Sequence, residues 1–419
     1  MAFFKNFKRY KNKLALFLAV VGPGIVTANV DNDAGGIATY SVAGAHYGYG
    51  LLWMMPVVAL ALVVIQEMSA RLGVVTGKGL SALIRESLGV RLSVIILGIL
   101  LFANLANTVS EFAGVAASME IFGVSKFISV PLAAVLVWVL AIRFDYKSVE
   151  RVFLVASAIY LTYVISGILA KPDWNMVLKA SISPSFQFDS QYVTLAVTII
   201  GTTIAPWMQF YQQSSIADKA LKVKDYFYEQ IDVVIGSIFA VLVAAFITIA
   251  CAATLFKAGV RVDTAQDAAM ALGPLAGGYA KSLFAIGLLN ASVFSASILP
   301  LSTAYVVCEA FGWESGLDNG LSDAPIFFGI YTALIVLGAG IILLPIKSLI
   351  ETMLASQTLN GVLLPVILIV MLKLINDKSI MGKYVNGPIM NILTWITVII
   401  LILLTIVLVL TSVFPGLFH

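Results

Sequence analysis

Charge is what this 419-residue chain has least of: Asp, Glu, Lys and Arg together make up 11% of it, against about a quarter in soluble domains. That excludes an ordinary soluble fold, and a 60% hydrophobic composition with mean hydropathy +1.01 makes the chain an all-α polytopic membrane protein. Histidine is nearly absent: His46 stands at a loop edge and His419 is the last residue. No intramembrane imidazole is therefore present to relay protons near neutral pH. Only two cysteines occur, Cys251 and Cys308, both in apolar stretches, which excludes a disulfide framework or a Cys-rich metal site and leaves them as inert packing residues. An intramembrane enzyme also lacks its parts. There is no Ser-His or Cys-His constellation, and Asp31 and Asp33 share one segment rather than facing each other across two helices.

What the chain has is apolar runs of spanning length. The opening residues 1–13 carry Lys5, Lys8, Arg9, Lys11 and Lys13 with no acid, and the apolar run that follows from 14 to about 43 shows no small-residue cleavage site. It reads as a retained first helix rather than a signal peptide. Further spans follow at 49–70, 92–122, 127–142, 152–170, 191–216, 231–256, 275–308, 325–345, 353–373 and 389–413, numbered here as spans 2 to 11. Placing the N-terminus in the cytoplasm puts 18 of the 25 Lys and Arg residues on the inner side, as the positive-inside rule requires. The expectation is a multi-pass protein of the plasma (inner) membrane, held in the lipid bilayer. Since topology accounts for the basic residues, no nucleic-acid partner is expected, and a monomer suffices for transport.

Span 1 contains the most expensive residues. In GPGIVTANVDNDAGGIATY, residues 22–40, the run Asp31, Asn32, Asp33 precedes Gly35 and Gly36 in mid-span. A carboxylate at that depth costs about 2.5–3.5 kcal/mol even on translocon scales, so it marks an ion or proton path. Backbone unwinds at membrane depth only where protein or a cavity surrounds it. Span 6, TLAVTIIGTTIAPWMQFYQQSSI, is interrupted in the same way by Gly201, Thr202, Thr203 and Pro206. Five spans separate the two breaks, which parses the chain as 14–170 and 191–373, two five-helix repeats, plus an extra helix at 389–413. Paired interruptions at corresponding positions point to a transporter site between repeats.

The runs GPGIVTANVDNDAGGIAT, QEMSARLGVVTGKGL (66–80), GTTIAPWMQFYQQSS (201–215) and SQTLNGVLLP (356–365) together resemble the natural-resistance-associated macrophage protein (NRAMP) family of divalent-metal transporters. The resemblance runs through spans 1 to 10 and implies a leucine-transporter-like 5+5 inverted repeat with about 11 transmembrane helices. The family's first-span motif, Asp-Pro-Gly-Asn, is matched here by Asp33, Ala34, Gly35 and Gly36, and its sixth-span Met-Pro-His by Ala205, Pro206 and Trp207. The acidic ligand is kept, while the Asn, the thioether and the histidine are lost. A tenth-span Gln is matched by Gln357 and an acidic third-span position by Glu111.

These departures have a chemical direction. Thioethers favour late transition metals, whereas carboxylates, carbonyls and water suit hard ions. Mg2+ in particular gives up its water reluctantly. A wider site without sulfur suits partly hydrated Mg2+, and the chain resembles the prokaryotic NRAMP-related magnesium transporters. Asp33 is the expected charged ligand, with Thr202 and carbonyls before Asp33 beside it. Asn32 and Asp31 share the cavity only if the segment is unwound; Asp31 then acts through water, or else in packing or at the outer vestibule. Gly36 and Ala205 supply space. Gln357 is either an outer or occluded-state ligand or interhelical glue. Glu111, Trp207 and Gln209 are candidate second-sphere or relay positions, Glu67 and Glu120 further possible relays, and Gln209, Gln212 and Gln213 form a polar stripe. The metal is substrate and no cofactor is implied. The expected activity is alternating-access uptake of Mg2+, and also Mn2+, driven by voltage without obligatory proton coupling. Alternatives are a proton-coupled Mn2+/Fe2+ transporter, a sodium-coupled amino-acid transporter of the same architecture, or a channel.

Overall fold

A computed structural model describes residues 30–143, 157–187, 189–316 and 320–413. The basic segment 1–13, the first half of span 1 and residues 144–156 with the start of span 5 lie outside the described residues, as does the side on which the N-terminus sits. Among the described residues nine helices are long and apolar enough to cross a membrane. The half-helix Ala34–Tyr47 and the piece Leu161–Leu169 stand in the positions of spans 1 and 5. Eleven expected spans therefore each have a helical counterpart.

Span 6 is cut into Ser190–Thr203 and Pro206–Asp218. Asp189 caps the first half by accepting from the Tyr192 amide, and the second half begins on Pro206. Proline at the first helical position needs no hydrogen-bond partner for its nitrogen and forces the preceding residue out of the helical region. Ala205 is accordingly extended, at φ −69° and ψ 140°. Span 1 breaks for a different reason: residues 31–33 form a turn and Asp33 caps the helix that follows.

Two elements are absent from the sequence reading. Span 3 is preceded by a further helical stretch from Leu80, joined to it across a kink at Gly89 (φ 76°, ψ 167°). A short helix Trp174–Ile182, capped by Asp173, connects spans 5 and 6 and exposes Met176, Leu178 and Ile182. Span 8 begins later than expected, at Ala280, after a string of short turns.

Spans 3 and 8 pack along each other, span 10 lies on spans 3 and 6, and span 7 packs against spans 1 and 2. Of the apolar window in span 6, 94% is buried, against 22% in spans 4 and 11. Span 6 is thus central, so its polar side chains meet protein or a cavity, while spans 4 and 11 face lipid. At one end of the bundle a cavity of about 1060 Å³ opens between the ends of spans 1, 3, 6 and 10 and reaches inward to Val42 and Thr358. The other end is tied shut. Gln213 donates to the Lys78 carbonyl (2.8 Å), Ser81 to Glu309 (2.6 Å) and Arg85 to the Ala310 carbonyl (2.9 Å). Arg71 pairs with Glu67 (3.1 Å) and donates to Asn386 and to the Tyr384 carbonyl (3.2 Å), while Tyr226 donates to Glu67.

Removing one member of a buried ion pair strands the other charge, at about 3–5 kcal/mol. Arg71→Ala is therefore expected to lower the thermal unfolding midpoint of the purified protein measurably. Adding Glu67→Gln, which leaves no charge to strand, should recover part of the loss, and an unshifted midpoint in Arg71→Ala would show that this end is held elsewhere.

Candidate metal site at the breaks of spans 1 and 6

The two breaks meet. Asp33 Oδ1 accepts from the Gly36 amide at 2.6 Å, the Asp33 carbonyl accepts from Ile37 N, and the carboxylate so caps the positive end of a half-helix. Its exposure is 4%, and Asp31 and Glu111 are buried beside it at 3% and 0%. Among the described residues no ion pair joins these three carboxyl groups to a Lys or Arg. Whatever negative charge they carry is not met by a basic side chain.

A Cβ placed on Gly36 would lie 2.8 Å from the Asp31 carbonyl oxygen, 3.2 Å from Thr202 Oγ1 and 3.3 Å from Asp33 Oδ1. The absence of a side chain thus lets three oxygens, drawn from the turn of span 1 and the end of the first half of span 6, converge on a tight niche at Gly36 with no room even for a methyl. Thr202 Oγ1 is buried without a hydrogen-bond partner, whereas the neighbouring Thr203 hydroxyl bonds back to the Ile199 carbonyl (2.7 Å) and to Tyr40 (2.8 Å). Asp31 Oδ1, Asn32 Oδ1 and Glu111 Oε1 are likewise buried and unpartnered. Buried polar atoms are normally satisfied, so each of these orphans calls for a partner, an ion or a water.

Gln357 lies directly over Gly35, whose lack of a side chain admits it, and donates from Nε2 to Asp33 Oδ2 (3.1 Å) and Oδ1 (3.4 Å). Glu111 accepts from the Ala34 amide at 3.3 Å through Oε2. Both residues therefore reach the start of the half-helix from spans 10 and 3. Asn32 turns away, its Nδ2 donating to the Ala240 carbonyl of span 7 (3.4 Å). With its amide nitrogen assigned toward them, Gln209 donates to the Ala205 and Pro206 carbonyls at 2.7 and 2.8 Å, which ties it to the break in span 6. Trp207 is buried against Tyr211. Glu120 lines the open cavity, and Glu67 belongs to the closed end.

Two residues escaped the sequence reading. Asn360 donates to Gln357 Oε1 at 2.8 Å and forms a reciprocal pair with Asn107 of span 3 (2.9 and 3.0 Å). Asparagines inside apolar spans are the signal that could have found them. No group of three or more His, Cys, Asp or Glu side chains is arranged to hold a metal among the described residues. An ion bound here would be held by one or two carboxylates, a carbonyl, a hydroxyl and its own waters, the coordination habit of Mg2+.

The profile of the family described as natural resistance-associated macrophage protein-like matches residues 24–411. The chain belongs to the NRAMP family. Relatives named divalent metal cation transporter MntH include that of Bacillus subtilis, 27% identical over 406 residues with 94% of this chain and 92% of the relative covered, and that of Latilactobacillus sakei, 28% identical over 424 residues with 94% and 90% covered. Among solved structures, the Eremococcus coleocola manganese transporter in complex with an aromatic bis-isothiourea compound superposes with a TM-score of 0.73 at 23% identity, covering 94% of this chain and 86% of that one. A nucleobase-cation-symport-1 family transporter in a closed conformation gives 0.59 at 15% identity, with 94% of each chain covered. These likenesses show the fold, an NRAMP and leucine-transporter-like helical bundle. This NRAMP chain is no enzyme; its family carries its metal as substrate.

Filling the niche tests it. Gly36→Ala is expected to weaken divalent-ion binding by about tenfold or more by placing a methyl among the three oxygens, and Asp33→Ala to abolish it, both read by calorimetry on protein that remains monodisperse. Unchanged binding in Gly36→Ala would place the ion elsewhere.

Proposed function

We propose that this NRAMP protein is an uptake carrier for hard divalent cations, Mg2+ and also Mn2+, which it takes partly hydrated at the breaks of spans 1 and 6. The observation that supports the reading is the tight niche at Gly36, whose three nearest facing atoms are all oxygens, of the Asp31 carbonyl, the Thr202 hydroxyl and the Asp33 carboxylate. Its donors are all hard, which removes the discrimination against Mg2+ that a thioether would supply. The cavity above Thr358 is the route in, on the side that the charge bias makes external, and the tied end around Arg71, Glu309 and Gln213 is the inner gate. Alternating access then opens one end as the other closes, within two repeats spanning 14–170 and 191–373. The protein sits in the plasma membrane with a cytoplasmic N-terminus.

Transport is driven by voltage. Two charges crossing about 100 mV release about 4.6 kcal/mol, which sustains a gradient of about 2,000-fold. The lack of an imidazole in the site leaves no obvious neutral-pH relay. One rival has support of its own. Glu111 is buried beside the Ala34 amide next to Asp33, which supports a proton relay there, and the similar proteins are named for manganese or for divalent metals, which supports Mn2+ as the ion of such a carrier. A sodium-coupled amino-acid carrier is disfavoured because Asp33 occupies the half-helix end that a substrate carboxylate would need.

Purified protein in liposomes with an imposed negative-inside potential, assayed for Mg2+ and Mn2+ uptake while internal pH is recorded, separates these. Uptake of both ions, steeper at larger potential and without metal-dependent acidification, is expected. Mn2+ uptake alone with stoichiometric acidification would establish the rival.

A further inference from the structure

A second group of buried acids lies away from the niche, on the first turns of span 7. Glu229 and Asp232 stand three residues apart on the helix Tyr226–Cys251, so they are neighbours on one face of it, and both are 0% exposed. Neither carboxylate oxygen of Glu229 has a hydrogen-bond partner among the described residues. Gln212 faces Glu229 from the second half of span 6. It too is 0% exposed, and both ends of its amide lack a partner among the described residues. A carboxylate and an amide cut off from water that face each other without closing a hydrogen bond are costly unless a third group joins them. Lys219, at the end of span 6, is the basic side chain whose charge reaches Glu229, and it offsets part of the negative charge without bonding to either oxygen.

The group lies between the niche and the tied end. At the break of span 1, Asn32 donates to the Ala240 carbonyl, which sets the level of the break on span 7. Asp232 and Glu229 are about 12–17 Å from that level along the helix axis, toward Tyr226 and its bond to Glu67 at the closed end. Span 6 runs the same way, with Gln212 about 10 Å beyond Ala205. Span 2 packs on both helices, Ser69 donating to the Gln209 carbonyl at 2.6 Å and Gly73 lying against Ile216 and Gln213. In that register Gln66 comes at the level of the break, and both of its amide atoms are buried without a partner. Gln66, Gln212 and Glu229 thus mark a line of unsatisfied polar groups from the break toward the tied end.

We propose that Glu229, Asp232 and Gln212 form a second site for the transported divalent cation, on the route by which it leaves the niche at Asp33. Two carboxylates and an amide oxygen are hard ligands of the kind that hold a partly hydrated ion. The charge of Lys219 makes this the weaker of the two sites, below what calorimetry of the Asp33 site registers. Weak binding suits a place on a route, since the ion has to leave as well as enter. The second site rests on the carrier reading, which it extends by saying where the ion goes after Asp33.

The test uses Fe2+ as a divalent probe of the full chain: with ascorbate and peroxide it generates radicals that cut the backbone beside the place where it is bound, and the fragments are identified by mass. Wild type, Glu229→Gln, Glu229→Asp and Lys219→Gln are compared, each with and without excess Mn2+. Cuts that Mn2+ suppresses are expected in two places, around 31–36 with 202–205 and around 212 with 229–232. Glu229→Gln should lose the second set and keep the first, Glu229→Asp, which keeps the charge, should retain both, and Lys219→Gln should strengthen the second. In proteoliposomes Glu229→Gln should lower the maximal rate of Mn2+ uptake and leave the half-saturating Mn2+ concentration, set at Asp33, unchanged. Cuts at the first place alone, or a second set that survives Glu229→Gln, overturn the second site and leave the carrier reading intact. A second set lost in Glu229→Gln with no fall in maximal rate overturns its place on the route, and cuts at neither place overturn both readings.

Discussion

Everything at the centre of this protein follows from one carboxylate, Asp33, buried at a helix break and paired to no cationic side chain among the described residues. A helix N-terminus supplies part of the compensation, through the Gly36 amide at 2.6 Å and the dipole behind it, and the Gln357 amide supplies more. Neither delivers a full positive charge. The break that creates the cap also frees the Asp31 carbonyl, so the same local unwinding that makes Asp33 tolerable sets a second oxygen beside it. Span 6 answers with the Thr202 hydroxyl, held at the end of a half-helix by the need to stop before Pro206. Two unrelated sequence devices, an Asp cap and a Pro start, bring their oxygens to one place.

The surrounding bundle isolates that place. Span 6 lies almost wholly inside protein, with an open cavity at one end of the bundle and a hydrogen-bonded closure at the other. The closure is built from long polar side chains reaching across to backbone carbonyls, Gln213 to Lys78, Arg85 to Ala310 and Arg71 to Tyr384. The neutral bond from Gln213 is worth about 0.5–1.5 kcal/mol, and those from the charged Arg85 and Arg71 about 1.5–3 kcal/mol each.

Much of this was legible in the sequence, because membrane depth makes polar residues conspicuous. Asp33 stood out as a costly charge and Gly36 and Thr202 as interruptions in apolar runs, Gln357 and Glu111 came from the family resemblance, and the structure brings all five to the break. The fate of their side chains was less legible. Asn32 stands next to Asp33 in the chain yet bonds to span 7, and Gln209, read as part of a polar stripe, turns back onto its own helix start. Direction within an unwound segment depends on partners that periodicity does not encode. The Asn107–Asn360 pair joins positions 253 residues apart, and a contact of that kind has no local signature. The helical stretch from Leu80 and the helix Trp174–Ile182 were missed for the opposite reason. They are short and amphipathic, and a reading tuned to long apolar runs passes over them.

The most direct measurement of whether this centre is a hard-ion site is calorimetric titration of the purified protein with Mg2+, Mn2+ and Cd2+, repeated on Ala205→Met. A site of oxygens alone predicts Mg2+ and Mn2+ binding that depends on Asp33, with no marked preference for soft Cd2+ until the thioether is restored. Tight Cd2+ binding by the unmodified protein, far exceeding that of Mn2+, would mean that a soft ligand serves the site, and would contradict the reading of the niche at Gly36.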